Sequence, residues 1–383
     1  MAGKRSIFEE VGEGESPRAA PRETGLIDKG SRSGARLAIR SWLVLLFALV
    51  VVMILVGGLT RLTDSGLSIT EWNVVKGAIP PLNEADWTLA FDKYKTIPEY
   101  ELQNKGMTLA EFKHIYWWEW GHRQLGRLIG LVWAVGYAWF LLRNQIPTGW
   151  KGRLLIPGAL GGVQGAIGWW MVHSGLSGEM TDVASYRLAT HLGLAFAILG
   201  LLAWYILLLS RPERDIMQAR RARERRLFGL GTGFMHFAFL QILIGALVAG
   251  IDAGRNYVDW PLMAGGFTPP DMWQLEPLWR NFFENDGTVQ FIHRMVAYAL
   301  FAFGIFAWVR SRRSAFAATR RAFDWALVLL FGQVVLGIVT VMHSAPWHIA
   351  ITHQALGVAL WVTIIRARFM AGYPKAGTLR EGL

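Results

Sequence analysis

The stretch SWLVLLFALVVVMILVGGL, residues 41–59, contains no charged side chain and is apolar along nearly its whole length. A helix of about 20 apolar residues is long enough to cross the roughly 30 Å hydrocarbon core of a bilayer. Of the 383 residues in the chain, 53% are hydrophobic, and the mean hydropathy is positive. The segment therefore predicts a membrane-spanning helix, and the composition predicts a membrane protein.

Windows of similar length and hydropathy recur along the chain. The eight predicted spans are 41–60, 121–142, 154–172, 188–210, 227–250, 290–309, 322–342 and 350–367. The fold class predicted is therefore an all-α membrane protein with eight transmembrane helices.

Lysine and arginine are unevenly distributed between the segments that flank these spans. Alternate segments hold 27 of these residues, against 9 in the loops on the other side. The basic segments are 1–40, 143–153, 211–226, 310–321 and 366–383. By the positive-inside rule both termini are expected in the cytoplasm. The net charge of +11 is thus interpreted as a topology signal, and no nucleic-acid partner is expected.

The chain also contains a long internal repeat. The sequence GGLTRLTDSGLSITEWNVVKGAIPP at 57–81 returns as GALVAGIDAGRNYVDWPLMAGGFTPP at 245–270, with an offset of 188. Gln164 and Gly168 likewise match Gln333 and Gly337 in the sequence. The repeat predicts two tandem four-helix bundles with pseudo-two-fold symmetry about an axis along the membrane normal.

The repeat sets the predicted domain boundaries. The N-terminal bundle is expected over 41–210, with a long outer loop at 61–118, and the C-terminal bundle over 227–370. Residues 1–40 are expected to form a flexible cytoplasmic tail, and 371–383 a second cytoplasmic tail.

Four histidines occupy equivalent positions in the two halves. His122 matches His293 and His191 matches His353, all near the outer ends of their spans. Two imidazoles at one depth in each bundle form the arrangement that holds an iron porphyrin between axial ligands. The plain alternative is a hydrogen-bonded histidine at a membrane interface. Zinc fits less well, because two histidines per half fall short of its usual four ligands and the chain has no cysteine.

The residue that follows each first histidine is an arginine. Arg123 and Arg294 are candidates for contacts with haem propionates, although an arginine that extends to the interface would look the same in the sequence. The other five histidines are assigned no role. The lack of cysteine excludes disulfides and thiolate metal sites.

The halves differ one helical turn before these histidines. Glu119 lies three residues before His122, whereas the matching position in the second half is Gln290. A carboxyl group near the membrane can accept or donate a proton, and an amide cannot titrate. The difference predicts chemistry in the N-terminal half and a fixed haem in the C-terminal half. The alternative is a solvated acid at the start of a helix, favoured by the helix dipole.

Four stretches carry a family resemblance that covers about residues 41–370. GGLTRLTDSGLSITEWNVVKGAIPPL, EFKHIYWWEWGHRQLGR, GGVQGAIGWWMVHSGL and YRLATHLGLA resemble the haem A synthase family, most closely its cysteine-free mitochondrial and proteobacterial branch. That family oxidises the C8 methyl group of haem O to the formyl group of haem A for cytochrome oxidase.

The resemblance implies a role for each candidate residue. It implies that His122 and His191 bind the substrate haem, that Glu119 is the catalytic acid, and that His293 and His353 ligate a haem b cofactor. It also implies successive hydroxylations of the methyl group to a geminal diol that loses water.

Two other functions use the same histidines. A di-haem electron carrier of cytochrome b type needs no carboxylate beside one ligand, and a haem transporter or chaperone needs no fixed redox group. The expected partners are membrane lipid, haem O, the haem O synthase, oxidase assembly factors and an electron donor of unidentified kind, and a homo-oligomer is compatible with the sequence. The expected location is the bacterial inner membrane, with the haem sites towards the periplasm.

Overall fold

The structure is a computed structural model that describes residues 33–73, 75–176, 178 and 180–375. Within these residues the chain is helical and forms no β-strand. The helices are α1 (Ser33–Leu62), α2 (Glu84–Tyr94), α3 (Pro98–Leu102), α4 (Leu109–Leu142), α5 (Lys151–Gly175), α6 (Ser185–Leu209), α7 (Glu213–Arg221), α8 (Arg225–Gly250), α9 (Asn281–Glu284), α10 (Asp286–Ser311), α11 (Ala317–Met342) and α12 (Trp347–Gly372).

Eight of these helices are long and apolar enough to cross a membrane. They are α1, α4, α5, α6, α8, α10, α11 and α12, and each coincides with one of the spans predicted from hydropathy to within one residue or contains it. The prediction of eight spanning helices in an all-α protein is therefore confirmed.

The first helix starts earlier than hydropathy predicts. Residues 33–40 were expected in the flexible tail, but they form the first turns of α1. Ile39 is fully buried there, and Arg36 donates hydrogen bonds to the carbonyls of Leu208 and Arg211 at 2.8 and 2.6 Å. These contacts satisfy a charged side chain that a hydropathy window counts only as polar. The rest of the predicted tails, 1–32 and 376–383, lies outside the described residues.

The second spanning helix also starts early, at Leu109 instead of residue 121. Thr108 caps it and Glu111 completes a capping box, with each side chain bonded to the backbone N–H of the other residue. The predicted loop 61–118 thus contains α2, α3 and the first turns of α4. Buried aromatic side chains, among them Phe91 and Phe112, stack at 5.0 Å and fix α2 against α4.

Helix contacts place α6 at the centre of the molecule. Helix α1 contacts α4 and α6, and α5 contacts the same two helices. In the second half α8 contacts α10 and α12, and α11 contacts those two in the same way. The halves meet where α6 contacts α8 and α12 and where α1 contacts α12.

Polar contacts cross the junction between the halves. The Trp361 indole donates to the Phe196 carbonyl at 2.9 Å, and the Gln354 amide donates to the Ile54 carbonyl at 2.8 Å. In an apolar setting such bonds fix one arrangement of helices, because an unpaired donor there is costly.

An arginine at the end of α1 joins three connections between helices. The Arg61 guanidinium lies 2.8 Å from Asp64, 2.9 Å from Asp252 and 3.6 Å from Asp182. Its side chain is only 12% exposed. These carboxylates belong to both halves of the chain, so this cluster ties the halves together on the face that carries residues 63–108 and 251–285, here called the loop face.

Glu99 of α3 is buried within the loop face. It is 3% exposed, and its Oε2 has no hydrogen-bond partner among the described residues. Burial, and then the nearby carboxyl groups of Asp182, Glu119 and Asp64, raise the pKa of Glu99 from an ordinary 4.5 to about 8. The folded chain holds this proton over a range in which the unfolded chain releases it, so folding stability falls as the pH rises from about 4.5 to about 8.

This burial predicts a pH-dependent melting temperature. In detergent, we expect the melting temperature to fall by several degrees, on the order of 5 °C, between pH 5 and pH 9. Glu99→Gln should remove most of that slope, because the amide does not titrate. The exposed neighbour Glu101→Gln is the matched control. An unchanged slope in the Glu99 variant would contradict the assignment.

Candidate functional site

The four predicted histidines lie at one level near the loop face. His191, His293 and His353 come six or seven residues after the first residue of α6, α10 and α12, about 10 Å along each helix. His122 lies farther from the first residue of its helix, α4, because that helix extends beyond the others into the loop face. All four imidazoles are half-buried.

The structure brings the histidines together in the predicted pairs. His191 lies close enough to His122 to interact with it electrostatically, and His353 lies close enough to His293 to do the same. Each pair therefore lies within one half of the chain, on α4 with α6 and on α10 with α12.

Each imidazole lies against a glycine of an adjacent helix. A Cβ atom built on any of these glycines would come within 3.0–3.3 Å of the ring, which is closer than ordinary van der Waals contact. The contacts are Gly57 with His122 at 3.3 Å, Gly168 with His191 at 3.0 Å, Gly245 with His293 at 3.0 Å and Gly337 with His353 at 3.1 Å. The glycines of the two halves also match each other in the repeat. Both halves therefore contain this packing of a glycine against each imidazole, here called the glycine cradle.

These residues fit a haem better than a bare metal ion. Nδ1 of His191 and Nδ1 of His353 are buried and have no hydrogen-bond partner among the described residues. No group of three or more His, Cys, Asp or Glu that could hold a metal ion occurs in the described part of the chain. Two imidazoles per site are sufficient for haem iron, since the porphyrin supplies the other four nitrogens.

Glu119 accepts three hydrogen bonds inside the protein. Its Oε2 accepts from the Ser68 hydroxyl and from the Ile69 N–H, both at 2.7 Å, and its Oε1 pairs with Arg123 at 2.6 Å. The side chain is 3% exposed. The carboxylate therefore joins α4 to the connection that follows α1.

The alternative of a solvated acid at a helix start is wrong for Glu119. The helix begins ten residues earlier, at Leu109, so the carboxylate is too far from that terminus to benefit from the dipole. Buried carboxylates are costly unless paired, and this one is paired.

Gln290 occupies the matching place in the second half, and its hydrogen bonds to the neighbouring connection have the opposite direction. It is also 3% exposed. Its amide donates to the carbonyls of Ala253 and Tyr257 at 2.8 and 3.2 Å, and its oxygen accepts from Arg294 at 3.0 Å. Both side chains accept from the arginine four residues later, but the connection before the helix presents donors to Glu119 and carbonyl acceptors to Gln290.

The two arginines beside the histidines bind backbone carbonyl groups of the loop face. Arg123 donates to the carbonyls of Ile69 and Glu71 at 2.8 and 3.0 Å. Arg294 donates to the carbonyls of Tyr257 and Asp259 at 2.7 and 3.0 Å. A propionate contact for either guanidinium stays a prediction.

Sequence reasoning missed the partners of Glu119 and the role of the glycines. Ser68 and Ile69 carry no motif, and only their position in the repeat after α1 sets them apart. The four glycines did carry a signal, since Gly57 and Gly245 match at the offset of 188 of the loop repeat, and Gly168 and Gly337 match at the same offset as Gln164 and Gln333.

The chain is similar along its whole length to known proteins. The family model described as "Cytochrome oxidase assembly protein" matches residues 40–365. A Ruegeria pomeroyi protein named heme A synthase is 68% identical over 99% of this chain and 100% of that protein. Proteins of the same name from Dinoroseobacter shibae and Paracoccus denitrificans are 66% and 59% identical, over at least 98% of each chain.

The glycine cradle predicts a site-specific effect of added volume. Gly245→Val should displace the His293 ring and lower the amount of haem that copurifies by several-fold. Gly229→Val, on the same helix, is the matched control, because a Cβ atom at Gly229 would meet no other atom within 4 Å. Haem content per mole of protein measures the effect, and equal haem content in both variants would contradict the cradle.

Proposed function

The chain belongs to the family of cytochrome oxidase assembly proteins, and we propose that it oxidises haem O to haem A as a membrane haem-dependent oxidoreductase. The names of the full-length relatives support this activity. The single structural observation that supports it most is the exchange of Glu119 for Gln290 at matched, buried positions.

The proposal gives the two halves different haems. His122 and His191 would bind the substrate haem, and His293 and His353 would hold a resident haem b. The resident haem would supply one-electron transfer. The carboxylate lies in the first half only, so that half is proposed to be the catalytic one.

The reaction requires a group that takes up protons beside the substrate. With water as the oxygen source, converting a methyl to a formyl group (R–CH3 + H2O to R–CHO) releases four protons and four electrons. The conversion passes through an alcohol and a geminal diol that loses water, and the electrons pass to an electron acceptor. Glu119 is one helical turn from His122 and is the buried carboxylate nearest to it in α4. Ser68, Ile69 and Arg123 hold the carboxylate in place, so that it can accept protons at a fixed position.

The proposed architecture is two four-helix bundles related by a pseudo-two-fold axis along the membrane normal. The matched glycines, histidines and loop clamps of the two halves support it. Arg36 and Arg211 support a common face for both ends of the chain, since Arg36 binds the Arg211 carbonyl and Arg211 binds the Tyr373 carbonyl at 2.6 Å each.

The proposed orientation places that basic face in the cytoplasm. Both termini then lie inside, and the loop face with its histidines lies on the periplasmic side of a bacterial inner membrane. Proposed partners are the haem O synthase, which supplies the substrate, oxidase assembly factors, which take the product, and an electron acceptor or donor.

The test is haem A formation in a host that makes haem O. Wild-type protein should accumulate haem A, and Glu119→Gln should lower it by at least about 100-fold while total bound haem stays near the wild-type level. Chromatography of extracted pigments measures both quantities. Glu71→Gln, an exposed loop-face acid, is the control and should keep full activity.

Each outcome has a distinct meaning. Full activity in Glu119→Gln would remove this residue from catalysis. Bound haem without any haem A in the wild type would favour an electron carrier or a haem transporter. Gln290→Glu is not a neutral control, because a carboxylate there would face the carbonyls of Ala253 and Tyr257.

A further inference from the structure

A cavity lies beside the bound carboxylate of Glu119, between α2, α4 and the connection that follows α1. Its volume is about 200 Å³. Part of its wall consists of exposed polar residues, Glu71, Asn73, Lys76 and Asp86, so the cavity opens to the surface of the loop face. A polar space of this size has room for several water molecules.

The three residues that bind Glu119 also line this cavity. They are Ser68, Ile69 and Arg123. At about 100° per residue, Glu119 lies about 60° around the helix from His122 and about 40° from Arg123, on the arc between them. The carboxylate therefore lies between the proposed substrate site and the cavity.

Glu119 needs a route by which protons leave it. The proposed reaction releases protons, and a carboxylate that is only 3% exposed must pass each proton on before it accepts the next. Of its three partners, the Ile69 N–H and the Arg123 guanidinium only donate and keep their protons at physiological pH. The Ser68 hydroxyl can both donate and accept, and its Oγ lies 2.7 Å from Oε2 of Glu119. Of the three, this partner alone can pass a proton on.

The hydroxyl of Ser68 has its closest contact with this carboxylate. Its other two acceptors, the carbonyl oxygens of Ser65 and Ile115, lie farther away, at 3.2 and 3.4 Å. A hydroxyl proton rotates about the C–O bond to suit its neighbours. The same oxygen can therefore donate to Glu119 at one moment and to water in the cavity at another.

The matching positions of the second half hold two amides. The repeat offset of 188 maps Ser68 onto Asn256, whose amide donates to Asp286, and Glu119 corresponds to Gln290. An amide does not titrate and does not exchange one proton for another as a hydroxyl does. The pairing of a hydroxyl with a carboxyl group at these positions thus belongs to the half that is proposed to be catalytic.

We propose that Ser68 is a positioning residue that relays protons from Glu119 to water in the cavity, and that these protons leave through the cavity to the loop face. In each step the carboxyl proton of Glu119 moves to the Ser68 oxygen while the hydroxyl proton moves to a water molecule. The serine is restored, the carboxylate is free to accept again, and no electron moves. The inference rests on the proposed function, which assigns proton uptake to Glu119.

The first test detects water in the cavity by hydroxyl-radical footprinting, which oxidises side chains that lie beside water. Tyr116 is buried but lines the cavity, so it should be oxidised, whereas Phe112, buried one turn earlier and outside the lining, should not. Ala90→Phe fills the cavity from α2 and should lower Tyr116 oxidation several-fold. Thr88→Phe, at an exposed position of α2 outside the lining, is the control. Equal oxidation of Tyr116 in the two variants would overturn the cavity as a path for water.

The second test measures haem A formation in membranes supplied with haem O. Ser68→Ala should lower the rate by on the order of 10-fold while bound haem stays unchanged, and Ser68→Thr, which keeps the hydroxyl, should retain most of it. Ser65→Ala removes a buried hydroxyl of the same connection that does not contact Glu119, and it should keep full activity.

The solvent isotope effect, the ratio of the rates in H2O and D2O, separates a relay from mere support. Loss of the relay makes proton transfer limit the rate, so the isotope effect should be larger in Ser68→Ala than in the wild type. A hydroxyl that only holds the carboxylate would change the rate and leave the isotope effect unchanged. That result, or full activity in Ser68→Ala, would overturn the proposal.

These readouts distinguish the relay from the proposed reaction. Footprinting of Tyr116 does not depend on haem chemistry. If Tyr116 is oxidised as expected and the wild type forms no haem A, the proposed reaction fails and the water-filled cavity stands. If haem A forms and Ser68→Ala matches the wild type, the reaction stands and the relay is overturned.

Discussion

Close contact between an imidazole and a glycine of the adjacent helix, which has no Cβ atom, determines the rest of this structure. The contact occurs four times, and a methyl group at any of the four glycines would lie within 3.3 Å of a ring atom. Inside a membrane there is little hydrophobic force between helices, so close backbone approach at small residues contributes much of the packing. The glycines thus fix which helix lies beside each histidine and at what height.

Given this shared frame, the chemistry of each half depends on what surrounds its histidines. Glu119 is bound by donors, whereas Gln290 donates to carbonyls, although both are equally buried. Arg61 of the first half, whose repeat mate is Ala249, binds Asp252 of the second and holds the two halves in register. The matched positions of the two halves therefore differ in a few polar side chains.

The sequence predicts the number of spans because each span is a long apolar window, and it predicts the matched histidines because they recur at fixed spacing in the repeat. It fails where a charged or aromatic segment forms helix. Residues 109–118 were predicted as loop by hydropathy, although the capping box at Thr108 and Glu111 was visible in the sequence. Arg36 likewise lowers the hydropathy of a segment that is helical, because its charge is satisfied by distant carbonyls. The partners of Glu119 come from a connection about 50 residues away, and no local pattern reveals them.

The central claim is that one fold holds two haems for different purposes, and the most direct measurement is the identity of the haem lost when each ligand is removed. His122→Ala and His293→Ala would each be expressed with a source of haem O, and the extracted haems separated by chromatography. The account predicts that the His122 variant keeps haem b and loses haem O and haem A, and that the His293 variant loses haem b alone. Loss of the same haem from both variants, or the reverse pattern, would contradict it.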